Sequence, residues 1–154
     1  MKKISRIILF VALLIFDQLS KILLFEKDFD LGLFRITFVK NTGMSFGLFQ
    51  GTNLFLIFVS IIAIVAFVYF RHEFKESLFF IALIITGTLG NLIDRIFRGF
   101  VIDFINFGWW PVFNFADSFI FVGVFGLIIY ETFFLKNDTK VKTKKTSNAK
   151  KKLK

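Results

Sequence analysis

Four apolar runs, each long enough to cross a bilayer, leave this chain few folds to choose from. They are residues 4–25 (ISRIILFVALLIFDQLSKILLF), 54–70 (LFLIFVSIIAIVAFVYF), 78–97 (LFFIALIITGTLGNLIDRIF) and about 117–135. A helix needs roughly 17–25 residues to span the hydrocarbon, and a helix satisfies its own backbone groups there. Of the 154 residues 56% are hydrophobic and 26 are Phe, more than a soluble domain of this length hides. The expectation is an α-helical membrane protein with four transmembrane helices.

Lys and Arg set the direction. Lys2, Lys3 and Arg6 precede or open the first run, and Arg71 and Lys75 lie between the second and third. After position 135 the tail carries nine Lys against Asp138, so the formal charge of +9 belongs almost entirely to it. Cytoplasmic segments collect such charge, which puts both termini inside and the loops 26–53 and 98–116 outside. The opening MKKISRIILF resembles a signal peptide, but no small-x-small site follows, so a retained first helix is expected. The division is a membrane unit, 1–135, and a Lys-rich cytoplasmic tail, 136–154, expected to be disordered. A basic tail at a membrane end points to anionic lipid and not to nucleic acid.

The outer loops carry their own signals. Residues 33–40 (LFRITFVK) partly alternate and 101–107 (VIDFINF) are β-prone, so a small extracytoplasmic β-sheet is expected from their pairing. Asn53 is a candidate cap for the second helix. Trp109 and Trp110 suit the outer membrane–water interface, where aromatic rings collect.

On this topology the buried polar residues meet at one depth. Asp17 and Lys21, spaced i,i+4, lie in the outer half of the first span. Gly87, Asn91, Asp94 and Arg95 share one face near the outer end of the third. Asn114 and Asp117 open the fourth, and Asn41 and Asp103 are in the outer loops. Charge inside a bilayer costs roughly 2.5–3.5 kcal/mol at a helix centre, so such residues are paired, functional or both. Asp17 with Lys21, and Asp94 with Arg95, have an equal reading as structural ion pairs. Gly87 and Gly90 have a reading as close-contact positions between helices. Glu131, near the inner end of the fourth span, is expected to snorkel. Asp103 and Asp117 have no cation beside them in sequence and sit at the wet edge. With no Cys and one His, His72, no metal site or cofactor is expected. Two acids brought close cannot both ionise easily, so one keeps a proton while the other takes one from water. That is acid–base hydrolysis without Ser, Cys or His.

Five motifs then occur in order: DQLSK (17–21), NTGMSF (41–46), GTLGNLIDR (87–95), VIDF (101–104) and FNFAD (113–117). Together they resemble the bacterial lipoprotein signal peptidase (signal peptidase II) family over nearly all of residues 1–135. The resemblance implies an aspartic endopeptidase of the bacterial inner (cytoplasmic) membrane. It implies cleavage of diacylglyceryl-modified prolipoproteins just before the lipidated Cys, at the extracytoplasmic face. It implies Asp103 and Asp117 as the catalytic pair. Asp17, Lys21, Asn41, Gly43, Asn91, Asp94, Arg95 and Asn114 are implied as substrate-binding or supporting residues. Ser45 departs from the Ala common at that place in the family. Substrate and membrane lipid are the implied partners, and the oligomeric state is open, with a monomer compatible. Two other classes compete: a metal-dependent membrane hydrolase of lipid phosphates, with the acids as ligands, and a non-enzymatic carrier subunit. The carrier would need polar residues through the whole membrane depth, and the second span offers only Ser60.

Overall fold

The computed structural model describes residues 3–43 and 52–135. Met1, Lys2, the Met44–Ser45–Phe46 part of the second motif and the whole Lys-rich tail lie outside the described residues. In chain order the elements are α1 (Lys3–Leu23), β1 (Asp28–Asp30), β2 (Arg35–Asn41), α2 (Asn53–Phe70), α3 (Leu78–Phe97), β3 (Val101–Asn106) and α4 (Phe115–Ile129). A 3₁₀ turn, Lys75–Ser77, leads into α3, and a π-helical turn, Tyr130–Leu135, continues α4.

Three helical stretches are long and apolar enough to cross a membrane: Asn53–Phe70, Leu78–Phe97 and Phe115–Phe133. The fourth expected span, α1, has 21 residues, about 30 Å of helix. It differs by carrying Asp17 and Lys21 within its length. Both are wholly buried against the other helices. Its opposite side shows Ile4, Ile8, Val11, Ile15, Leu19 and Ile22, all exposed and three or four residues apart. That is an apolar stripe with no protein neighbour to cover it.

Helix α3 is the hub. Its buried residues run from Ile81 through Thr86, Gly87, Gly90 and Asn91 to Asp94. Small residues let its neighbours approach closely. A Cβ on Gly90 would fall 2.6 Å from Asp17 Oδ2, and one on Gly123 would fall 2.6 Å from Ile84 Cγ1. Gly87 likewise lies against the Ala116 carbonyl. Both glycines of α3 thus serve close helix contact, as expected. The pairings give directions: Phe10 lies against Phe79 and Asp17 against Gly90, so α1 runs parallel to α3. Gly87 meets Ala116 and Gly123 meets Ile84, so α4 runs antiparallel.

Two local expectations change. Asn53 does not cap α2: the preceding residue, Thr52, is at the cap position without a side-chain capping bond. Asn53 Nδ2 instead donates to the Arg95 carbonyl at 3.2 Å, tying the start of α2 to the end of α3. Glu131 does not simply snorkel: Ser77 Oγ, buried at the start of α3, donates to its Oε1 at 2.6 Å.

The sheet is antiparallel, in the order β1-β2-β3. The β2–β3 pairing follows from the alternation read in the sequence, while β1 is an addition. Its three residues, Asp-Phe-Asp, are too short and too charged to show a strand pattern. A bulge between Ile36 and Val39 inserts one residue into β2. Beyond it Val39 lies opposite Asp103 and Asn41 opposite Val101. Ile36, Ile102 and Phe104 form the core under the sheet, with Phe115 packed against it. Phe115 also meets Phe16 and Phe104, at 4.7 and 5.6 Å between rings. The sheet therefore sits on the ends of α1 and α4, at the end of the bundle that carries the polar residues.

Candidate active site

Two short linkers aim the acids. After α3, Arg98 closes the helix with its N–H on the Asp94 carbonyl at 2.8 Å. Gly99 then takes φ +80°, a left-handed turn that suits glycine, and β3 begins two residues later. Ile102 N–H donates to Asp94 Oδ2 at 3.2 Å, pinning the strand to the helix it has just left. Asp103 is the next residue and only 2% exposed. At the other linker, Asn114 caps α4. Its Oδ1 accepts from the Asp117 N–H at 3.0 Å, and Asp117 Oδ2 accepts from the Asn114 N–H at 3.1 Å. The capping box thus holds Asp117 at the third position of the helix.

Asn114 connects the two acids. Its Nδ2 donates to Asp103 Oδ1 at 2.6 Å while its other polar atoms hold Asp117. Asn41 Nδ2 donates to Asp103 Oδ2 at 2.8 Å, reaching diagonally along the β2–β3 pair. Asn91 Nδ2 donates to Asp117 Oδ1 at 2.8 Å. Three asparagines from three parts of the chain therefore donate to the carboxyl oxygens of the two acids. Burial, and next the negative charge of Asp117, push the Asp103 carboxyl up to about 7, against the Asn41 and Asn114 hydrogen bonds and the charge of Lys21. Near neutral pH Asp103 is poised between acid and base.

Below the asparagines lies a buried charge cluster. Lys21 Nζ is 2.9 Å from Asp17 Oδ2, 3.0 Å from Asp94 Oδ2 and 3.1 Å from Asn91 Oδ1. Asp17 Oδ1 accepts from the Ala116 N–H at 2.8 Å, in the first turn of α4. Asp94 also pairs with Arg98. Two acids and two cations balance, which makes their burial tolerable. Arg98, one helical turn after Asp94, is the partner, in place of Arg95, the sequence neighbour. Adjacent residues on a helix point about 100° apart, whereas i,i+4 residues share a face. Arg95 turns elsewhere: its Nη2 donates to the Gly43 carbonyl at 3.2 Å, and its Nε is buried with no partner among the described residues. Gly43 N–H in turn donates to Asn41 Oδ1 at 3.0 Å.

Every site residue read from the sequence joins this one network. The reading missed Gln18 and Arg98. Gln18 Nε2 donates to Asp17 Oδ2 at 3.1 Å and to the Gly90 carbonyl at 3.0 Å, and Arg98 donates to Gln18 Oε1 at 3.2 Å. The i,i+4 spacing of Asp94 and Arg98 was the signal available. Among the described residues no trio of His, Cys, Asp or Glu is arranged to hold a metal ion.

The family model described as signal peptidase (SPase) II matches residues 9–134. The chain belongs to the signal peptidase II family. It is 40% identical over 140 residues to the lipoprotein signal peptidase of Clostridioides difficile (strain 630), covering 83% of this chain and 95% of that one. It is 40% identical over 148 residues to that of Fusobacterium nucleatum subsp. nucleatum, covering 83% and 86%. A solved bacterial membrane enzyme superposes with a TM-score of 0.76 at 34% identity, covering 88% of this chain and 89% of that one. A second gives 0.72 at 32%, covering 85% and 94%. As a member of the signal peptidase II family the chain is a protease, and its apolar helices make it a multi-pass membrane protein.

Proposed function

We infer that this member of the signal peptidase II family is an aspartic endopeptidase that removes signal peptides from diacylglyceryl-modified prolipoproteins, cutting before the lipidated Cys. The observation that carries the reading is Asn114, one residue hydrogen-bonded to both Asp103 and Asp117. Relatives named lipoprotein signal peptidase supply the substrate class.

In this mechanism Asp117 starts ionised and Asp103 starts protonated. Asp117 takes a proton from water as that water attacks the carbonyl carbon before the Cys. Asp103 gives its proton to the carbonyl oxygen, forming a neutral tetrahedral diol. The diol then collapses: its C–N bond breaks, the Cys nitrogen takes a proton from Asp117, and the hydroxyl proton returns to Asp103. The buried position of Asp103 beside Asp117 supports this division of roles. Asn41 and Asn91 orient the two carboxyls, and Lys21, Asp17 and Asp94 hold Asn91 and the start of α4. In this reading Arg95, with the Gly43 carbonyl it holds, binds substrate backbone.

The reading includes α1 as the fourth span, since its charged side is buried and its other side is apolar. Both termini are cytoplasmic by the positive-inside rule. The enzyme then lies in the bacterial inner membrane with the acids at the extracytoplasmic face, residues 1–135 forming the peptidase and 136–154 its tail. A bond beside a lipid anchor sits at that level, so the acids must too. The decisive experiment is Asp103→Asn and Asp117→Asn in a cleavage assay on lipidated prolipoprotein. Each should lose about 10²–10⁴-fold in turnover, the scale of general acid–base catalysis. Turnover at the unmutated rate by either variant refutes the pair.

A further inference from the structure

The far end of the sheet carries two matching turns. In the β1–β2 turn Gly32 takes φ +82° and its N–H donates to Asp30 Oδ1 at 2.6 Å. In the turn after β3 Gly108 takes φ +80° and its N–H donates to Asn106 Oδ1 at 2.7 Å. Arg35 opposite Asn106 puts the two turns side by side. Both are built, not loose, and both present apolar tips to the outside. Leu33 is 85% and Trp109 81% exposed, with Leu31 and Trp110 about half exposed. Phe34 packs at a tilt against Phe107, and Phe107 against Trp109, with ring centroids 5.7 and 6.3 Å apart, joining the turns into one surface. Of the charges beside the tips, Arg35 and Asp28 pair at 2.6 Å on the strands, and Asp30 accepts from the Gly32 N–H within its own turn.

We propose that these twin turns form a second lipid contact, separate from the spanning helices, that rests in the headgroup–acyl boundary of the phospholipid leaflet beside the site. Continuity argues for lipid as the occupant. The exposed apolar surface of α1 runs through Leu19, Ile22, Leu23 and Phe25 and, past the exposed Glu26, Lys27 and Asp28, resumes at Phe29, Leu31 and Leu33 of the first tip. The second tip is tied to the bundle by the Ile105–Phe113 bridge, two residues before α4 begins. Four residues, Pro111 to Asn114, separate Trp110 from that helix start, a reach of at most about 18 Å of chain. Exposed apolar patches on an ordered surface mark such contacts, and Trp favours that depth. The contact would hold the sheet flat against the leaflet and fix the acids at bilayer height. It rests on the proposal that this end of the bundle lies at a membrane surface.

The chain has only two Trp, so intrinsic fluorescence reports on this surface alone. The enzyme is reconstituted, without substrate, in vesicles of phospholipids brominated near the headgroup or near the acyl end, and separately exposed to aqueous acrylamide. Emission should be quenched strongly by shallow bromines, less by deep ones and weakly by acrylamide. Strong acrylamide quenching with no effect of bromines overturns the proposal, and so does protection that appears only when prolipoprotein is added. Cleavage is not measured, so an inactive enzyme whose tips meet lipid is told apart from an active one whose tips do not.

Discussion

Lys21 donates to Asn91 Oδ1 at 3.1 Å, and that bond faces the Asn91 amide nitrogen toward Asp117. A carboxylamide has one acceptor end and one donor end. With its oxygen held by Lys21, and also by Asn114 Nδ2 at 3.2 Å, only the nitrogen is left for the acid. A side chain on the first helix thus orients a group on the third toward an acid on the fourth.

Replacing Lys21 by Met should therefore damage both fold and turnover. The change leaves Asp17 and Asp94 buried with one cation, Arg98, between them. Breaking a buried pair from one side costs about 3–5 kcal/mol. Thermal unfolding in detergent should shift down strongly, and residual cleavage should be low even at temperatures where the variant stays folded. An unchanged midpoint would show that the cluster is not holding the helices.

Activity should fall as pH rises through about 7, because Asp103 then loses the proton that the proposed mechanism has it donate. The acidic limb should follow ionisation of the second carboxyl, giving two limbs in all. Stability has the same sign: a carboxyl raised from the ordinary value near 3.9 favours the fold while protonated and loses that contribution between about 4 and 7. Replacing Asp117 with Asn removes the neighbouring negative charge, so Asp103 should titrate lower, though burial still holds it above the ordinary value. Carbon-13 shifts of labelled Asp test this, and a higher value in the variant would contradict it.

Gly90 and Gly99 should respond differently to Ala. At Gly90 the new methyl meets Asp17 Oδ2 at 2.6 Å and Ala116 Cβ at 3.1 Å, so α1, α3 and α4 must separate. A cost of about 1–3 kcal/mol is expected from overpacking, with turnover reduced. At Gly99 nothing lies within 4 Å, and only the positive φ is strained, about 1–2 kcal/mol. Unfolding midpoints that rank the two the other way round would show that close approach is not what Gly90 provides.

Cleavage should persist in EDTA, since the mechanism moves protons between carboxyls and water. Loss of activity that returns with added divalent cation would favour the metal-dependent hydrolase instead.

Much of this was legible in the sequence for a plain reason. Lipid forces long apolar helices, so the second and third spans could be bounded to within a residue, and charges within apolar runs stood out. Asp17, Lys21, Asn91 and Asp94 were recognisable by helical spacing, and the motif order named the rest. What spacing could not give was which partner each charge takes across the bundle. Asp94 pairs with Lys21 of another helix, which no spacing shows, whereas its second partner, Arg98 in place of Arg95, was open to reading from the i,i+4 spacing. Strand β1 escaped because three residues show no period, and the Ser77–Glu131 bond because it joins elements 54 residues apart. The bulge that sets Val39 opposite Asp103 is likewise a fact of register, which only the paired strands reveal.

Asp117 gives one oxygen to the first turn of its own helix, and Asn114 is at once cap and link to Asp103. Those residues come last of the ten as the ribosome releases the chain. On the proposed mechanism a nascent copy that still lacks α4 holds one acid and no companion for it. By the same mechanism the protease is armed only when α4 docks against α3.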